Sequence, residues 1–254
     1  MSGRKGSILV LVLVLFVTLV ARALAGGWVA VSLDELPRQV RAGETLHLGF
    51  TLLQHGFRPV DNAEPALFAD NVKTGESLQA DARREGAIGH YVLDVTFPSA
   101  GEWAWGVAPK PWPIVDLEPL TVLSAGTAIP EPLLSGDGLG GLWWPVQLIL
   151  RIVKDAPSAA EPTAVENAAD PDYGRALFVA KGCHACHIHS AVSNSVSGPV
   201  IGPNLSSYHP DPDFVRRWLR NPAALRPNTE MPKLVLSEGE IDALVAFLNA
   251  GADQ

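Results

Sequence analysis

Cysteine and methionine are nearly absent from this chain, with two of each in 254 residues. Two cysteines cannot build a disulfide-stapled scaffold, nor a zinc site of four or three thiolates. Cys183 and Cys186 sit together in "KGCHACHIHS", so every thiol is committed to one place. Basic residues are also scarce, 19 against 27 acids, for a formal charge of −8. No nucleic-acid footprint is visible; plain solubility accounts for the charge first, and a basic partner surface suits the chain better than an acidic one. Long hydrophobic runs are missing too, with one exception. Ile8 to Val20 is apolar apart from Thr18, follows Arg4 and Lys5, and precedes the small-x-small pattern Ala23-Leu24-Ala25. That order reads as an export signal over residues 1–25, cleaved or retained as an anchor. Either way the body of the protein is expected outside the cytoplasm, in the periplasm or on the outer face of the membrane.

What is present divides the chain into zones. Residues 28–124 alternate with period two. In "ETLHLGFTLL", Leu46, Leu48, Phe50 and Leu52 oppose Thr45, His47, Gly49 and Thr51. In "HYVLDVTF", Tyr91, Leu93, Val95 and Phe97 share a face, and "EWAWGV" sets Trp103, Trp105 and Val107 together. Shorter strands are expected at 28–33, 65–69 and 120–123, with turns at "KTGE", "PSAG" and "PKPWP". Seven or so short strands predict a β-sandwich. Residues 125–170 read as a Pro/Ala-rich linker around an apolar helix at about 145–154 in "GLWWPVQLILRIVKD". Packing on a neighbouring domain, docking to another subunit and lying at a lipid interface are the alternatives for that helix. Membrane association through residues 7–25 or 142–154 follows from the same stretches.

Residues 171–254 read as all-α. Asp170-Pro171 and Asp211-Pro212 are helix starts, Asn221-Pro222 ends a helix, and Ser237 with Glu240 forms a capping box before "IDALVAFLNA". On these helices and loops sits "CHACH". A thioredoxin-like pair would need a βαβ setting, and a zinc site would need further Cys or a spaced His pair. Haem attachment needs what is there: two thiols to add across vinyl groups, and a histidine next to the second as the proximal ligand. A second axial ligand is then required. Met231, in "RPNTEMPKL" 44 residues after His187, is the only methionine besides Met1. A gap-filling core Met is the plainer alternative for it, and His209 is the second choice of ligand. His184 and His189 read as solvent-exposed or locally hydrogen-bonded.

The stretches "YGRALFVAKGCHACH", "GPNL" at 202–205, "WLRNPAALRPNTEMP" at 218–232 and "SEGEIDALVAFLNAG" resemble a class I monohaem cytochrome c domain, over about residues 171–251. "GAIGHYVLDVTFPSAGEWAWGV" resembles, over one hairpin, a family of exported bacterial immunoglobulin-like domains. The resemblances imply a multidomain chain: an N-terminal all-β immunoglobulin-like sandwich and a C-terminal all-α cytochrome c fold. They imply one haem c attached at Cys183 and Cys186, with His187 and Met231 on the iron. The Pro203 carbonyl would accept from the free His187 nitrogen, Asn204 and Leu205 would continue the haem-lining loop, and Trp218 would pack near the haem edge. Gly174 and Phe178 would cross the last helix near Phe247.

A similar module is often fused to respiratory proteins such as subunit II of haem–copper oxidases. This chain departs from that subunit, because both cysteines are used for haem and the β zone has no Met. His47, His55 and His90 then read as surface residues rather than copper ligands. With both axial positions filled, no catalytic residue is expected. The expected function is one-electron transfer as donor to, or subunit of, a membrane respiratory or photosynthetic complex, with a redox protein as partner. An electron-relay subunit of a periplasmic oxidoreductase is the alternative, as is a haem sensor in which Met231 is displaced.

Overall fold

A computed structural model describes residues 27–126, 170–192 and 201–250. The expected signal or anchor at 1–25 and the linker helix at 145–154 lie outside these residues. Among the described residues no helix is long and apolar enough to cross a membrane.

Residues 29–123 form eleven strands in two sheets. The first sheet contains β1 (Val29–Leu33), β3 (Thr45–Gln54), β4 (Arg58–Pro59), β7 (Arg83–Arg84) and β8 (His90–Thr96), in the order β1-β3-β8-β7 with β4 beside β3. The second contains β2 (Val40–Arg41), β5 (Glu64–Asn71), β6 (Ser77–Asp81), β9 (Gly101–Lys110), β10 (Val115–Asp116) and β11 (Leu120–Leu123). Its order is β2-β11-β9-β5-β6, with β10 beside β9. All pairs are antiparallel except β2 with β11.

Alternation dictates which faces meet, because successive side chains of a strand point to opposite sides. Leu48, Phe50 and Leu52 of β3 are buried; Leu93 and Tyr91 of β8 lie opposite Leu48 and Phe50 in register, and Val95 lies opposite Leu46. They pack with Leu67 of β5 and Trp103, Trp105 and Val107 of β9 in one apolar cluster. Phe97 meets Trp103 edge to face, with ring centres 5.3 Å apart. The polar tips are satisfied: the Tyr91 hydroxyl donates to the Val60 carbonyl at 3.0 Å, and the Trp105 indole to that of Glu118 at 2.7 Å.

After residue 170 come α1 (Pro171–Ala180), a 3-10 turn at Cys183–Ala185, α2 (Pro212–Arg220), α3 (Pro222–Leu225) and α4 (Glu238–Asn249). Their ends follow from capping. Asp170 accepts from the Asp172 amide at 2.9 Å, Asp211 from that of Asp213 at 3.2 Å, and both precede a proline at the first helical position. Ser237 and Glu240 complete a reciprocal capping box at α4. Gly174 lets α1 approach α4, since a Cβ there would lie 2.0 Å from the Ala243 carbonyl oxygen.

The expected fold class is corrected here. The described residues are mostly β-sheet, and the four helices, the longest of 12 residues, make no large all-α domain. Nor do they stand apart from the sheets. Val179 and Ala180 belong to the same apolar cluster as Val31 and Leu33. Lys181, 1 % exposed, sends its ammonium to the Asp34 carbonyl at 2.8 Å, the Val235 carbonyl at 3.2 Å and the Glu240 carboxylate at 2.9 Å. Arg175 pairs with Glu118 at 2.8 Å, and the Arg38 guanidinium lies 3.8 Å from the Tyr173 ring centre. Sequence periodicity reads each helix by itself, and so carries no sign of a core shared with strands 140 residues earlier.

Candidate functional site

The loop after α1 is anchored before it presents any functional side chain. Gly182 takes a left-handed φ of +75°, and a Cβ there would stand 2.8 Å from the Val31 carbonyl oxygen. Only glycine allows the loop to lie so close to β1. Lys181 is held as described above. The next residues therefore leave the sheet from a fixed point.

Cys183 and Cys186 are separated by the 3-10 turn, with the Cys186 amide on the Cys183 carbonyl at 3.1 Å. The His187 amide donates to that carbonyl too, at 3.0 Å. Burial and then the neighbouring Cys186 push the Cys183 thiol up to about 12, and burial pushes Cys186 up to about 11. Both are held as neutral thiols, a state that disfavours disulfide exchange and thiolate ligation. Burial lowers the His187 pKa, opposed by its bond to Pro203. His187 Nδ1 donates to the Pro203 carbonyl at 2.9 Å, which leaves Nε2 as the ring nitrogen with a free lone pair.

These groups open onto a cavity of about 740 Å³. A small-molecule site is commonly about 300–1,000 Å³ and mostly apolar. Cys183, Cys186, His187, Met231, Trp218, Pro203 and Leu205 all line it, brought together from three separate stretches of chain. Trp218, on α2, donates its indole N–H to the Met231 sulfur at 2.9 Å. Phe178, Leu219 and Leu244 supply apolar wall from α1, α2 and α4.

Some expected residues are elsewhere. Asn204 does not line the cavity; it is exposed and accepts from the Ser206 amide at 2.9 Å. His209 is exposed and also outside the lining. His184, expected at the surface or in local bonds, is buried against the backbone of Phe178 and Val179. His189 packs its ring 4.3 Å from that of Phe247.

Sequence reasoning missed Gly202. A Cβ there would fall 2.4 to 2.8 Å from atoms of the His187 ring, so the backbone itself forms one wall of the imidazole slot. The signal was visible in "IGPNL", where glycine precedes the proline whose carbonyl orients the ring. It also missed Ala30, Ser32, Leu53 and Gly56, which bring the β-sheet to the same cavity.

No family model and no curated protein matches the chain. Among solved structures it is similar to a Bacteroides vulgatus protein described as a glycoside hydrolase, at 17 % identity over 36 % of this chain and 17 % of that one, with a TM-score of 0.28. It is also similar to the Lin-41 filamin domain, at 12 % identity over 38 % of this chain and 97 % of that one, with a TM-score of 0.31. The chain thus spans about a sixth of the length of the first. Likeness this slight carries no argument about function.

The expected membership of residues 171–251 in the class I cytochrome c family, and of the sheets in the immunoglobulin-like one, is corrected accordingly. No family model, of cytochrome c or of any other kind, is matched by the chain. Among the described residues no group of three or more His, Cys, Asp or Glu side chains could hold a metal ion. The resemblance rested on a few local motifs, and a motif fixes the chemistry of a loop without fixing the fold around it.

Proposed function

We propose that this chain is an exported one-electron carrier with a single haem c, joined through Cys183 and Cys186 and ligated by His187 and Met231. One observation carries the reading. Two neutral thiols, an imidazole with a free Nε2 and the thioether of Met231 line one largely apolar cavity, although Met231 is 44 residues from His187. A haem bound there would supply one-electron exchange between two iron oxidation states.

The chain's own residues do the rest. Cys183 and Cys186 would hold the group covalently, each S–H adding across a vinyl group, sulfur to one carbon and hydrogen to the other. The Pro203 carbonyl fixes the His187 tautomer and raises the basicity of Nε2. The soft sulfur of Met231 favours the reduced metal. Phe178, Leu219 and Leu244 keep water from the site. With His187 and Met231 both holding the iron, no place would be left on it for a substrate, which favours a carrier over an enzyme. The partner would be a redox protein of a membrane electron-transport complex. The extracytoplasmic placement rests on residues 1–25, and membrane association on those or on 142–154.

The test is production in a host that attaches haem covalently. Mass and the reduced absorption spectrum should report one thioether-bound haem, absent when Cys183 and Cys186 are both serine. Met231→Ala should lose the methionine–iron charge-transfer band. A chain that leaves that host without covalent haem overturns the reading. A parent chain that lacks that band, with iron ligation unchanged in Met231→Ala, moves the ligand to His209.

A further inference from the structure

The β-sheet reaches the cavity at one place. Strands β3 and β4 are joined by His55-Gly56-Phe57, where His55 and Gly56 take left-handed φ values of +55° and +82°. That turn sets Gly56 against the cysteine loop. A Cβ on Gly56 would lie 2.7 Å from Cys186 Sγ and 2.9 Å from the Trp28 ring. Trp28, Ala30, Leu53 and Ala185 form a buried apolar cluster of their own, with Cys186 packed against it. Trp28 is 6 % exposed, and its carbonyl accepts from the His55 amide at 3.0 Å, which ties its backbone to the turn. Ala30, Leu53 and Gly56 line the cavity, and Trp28 backs them.

We infer that this end of the β-sandwich is a structural wall of the cofactor site, with Trp28 and Gly56 as positioning residues that seat the Cys186 sulfur and keep water from that side. The inference rests on the haem reading above and adds to it a control of reduction potential. Oxidised iron carries one more positive charge than reduced iron. A dry, apolar wall solvates that charge poorly and so favours the reduced form. Opening the wall admits water and reverses the preference. Gly56 has no room for a side chain, so a methyl group there pushes the turn off the sulfur and opens the same seam.

The holoprotein is the material for the test, with reduction potential and rate of reduction by a small soluble reductant as readouts. Trp28→Ala should shift the reduction equilibrium about tenfold toward the oxidised form, equivalent to about 59 mV for one electron. It should also speed reduction by the small reductant. Trp28→Phe, which keeps an apolar ring, should restore most of the potential. Gly56→Ala should shift it in the same direction as Trp28→Ala, and decides the matter if Trp28→Ala does not fold. Arg175→Ala, at an ion pair away from the cavity lining, should leave the potential unchanged. Potentials and reduction rates that stay at the parent value in both wall variants, with haem attached, overturn the inference. Absence of covalent haem from the parent chain is a different result, and defeats the functional reading instead.

Discussion

The two larger apolar clusters among the described residues are built to different standards of completeness. In the sandwich, Trp103, Phe50, Phe97 and Leu67 are fully buried by other side chains of the two sheets. In the helical part, Leu219, Leu244 and Leu248 are buried yet also border a cavity of about 740 Å³, and Met231, Leu205 and Cys183 are only partly buried. The first core is closed by its own chain. The second borders a mostly apolar space that the chain does not fill. A domain that needed only stability would collapse that space, because unfilled volume costs packing energy. The contrast sets the open cavity beside the helices and the closed core between the sheets.

The sharpest way to break the comparison is to damage each side once. Trp103→Ala should destabilise the sandwich by about 3–5 kcal/mol, since a buried aromatic leaves both a transfer loss and a cavity. Denaturant melting followed by hydrogen exchange should show β3, β5, β8 and β9 losing protection together. A loss below about 1 kcal/mol would mean that the sheets are not closed by that ring.

Lys181→Ala should cost about the same, roughly 3–5 kcal/mol, because it strands the Glu240 carboxylate without its buried partner. Its signature differs. Lys181 is the one buried cation joining the Asp34 carbonyl to Val235 and Glu240, so α1 and α4 should lose protection before the strands do. Simultaneous loss in helices and strands would show that the two parts unfold as one unit, and the comparison drawn above would fall.

How much of this was legible beforehand differs along the same line. Strands at 45–54, 90–96 and 120–123 could be read because one buried face imposes period two on the chain. The starts of α1, α2 and α4 could be read because caps are local in sequence. The fold class could not, because Val179 and Ala180 look like any apolar helix end until β1 is seen beneath them. The thiols, His187 and Met231 were visible as chemistry. Asn204 was carried along by its neighbours and lies off the cavity. Nothing in the sequence marks Lys181 as buried, because its burial depends on Asp34, 147 residues away. Family membership was read from four short stretches of helix and loop, and such stretches do not fix the fold around them.

A smaller change tests the cavity side alone. Gly202→Ala puts a methyl group within 2.4–2.8 Å of the His187 ring, and should destabilise by about 1–3 kcal/mol as overpacking does. The ring must turn or shift, so the His187–Pro203 bond should weaken. The His187 side-chain Nδ1–H resonance should then broaden or move, while the sandwich melts as before. An unmoved resonance would mean that the slot has slack the distances do not suggest.

The smallest effect belongs to the sandwich surface, at His90. Its Nε2 lies 2.8 Å from an Asp34 carboxylate oxygen and its Nδ1 2.6 Å from the Glu85 carbonyl. Burial works to lower its pKa, but the Asp34 carboxylate and the Glu85 carbonyl outweigh it, and the net direction is up from 6.5. Both ring nitrogens face acceptors, so only the doubly protonated imidazolium satisfies both. A folded pKa above the unfolded one means that its stabilisation is fully present below about pH 6.5, and is lost as pH rises through the folded value. The pair is partly exposed, so solvent screening should keep the effect below about 1 kcal/mol. Denaturation midpoints measured from pH 5 to 9 should therefore fall slightly above pH 6.5, and His90→Gln should remove that fall. A fall that survives His90→Gln would assign it to another group. The same slope appearing in the helices would show that Asp34, which also receives Lys181 through its carbonyl, passes a surface charge into the junction.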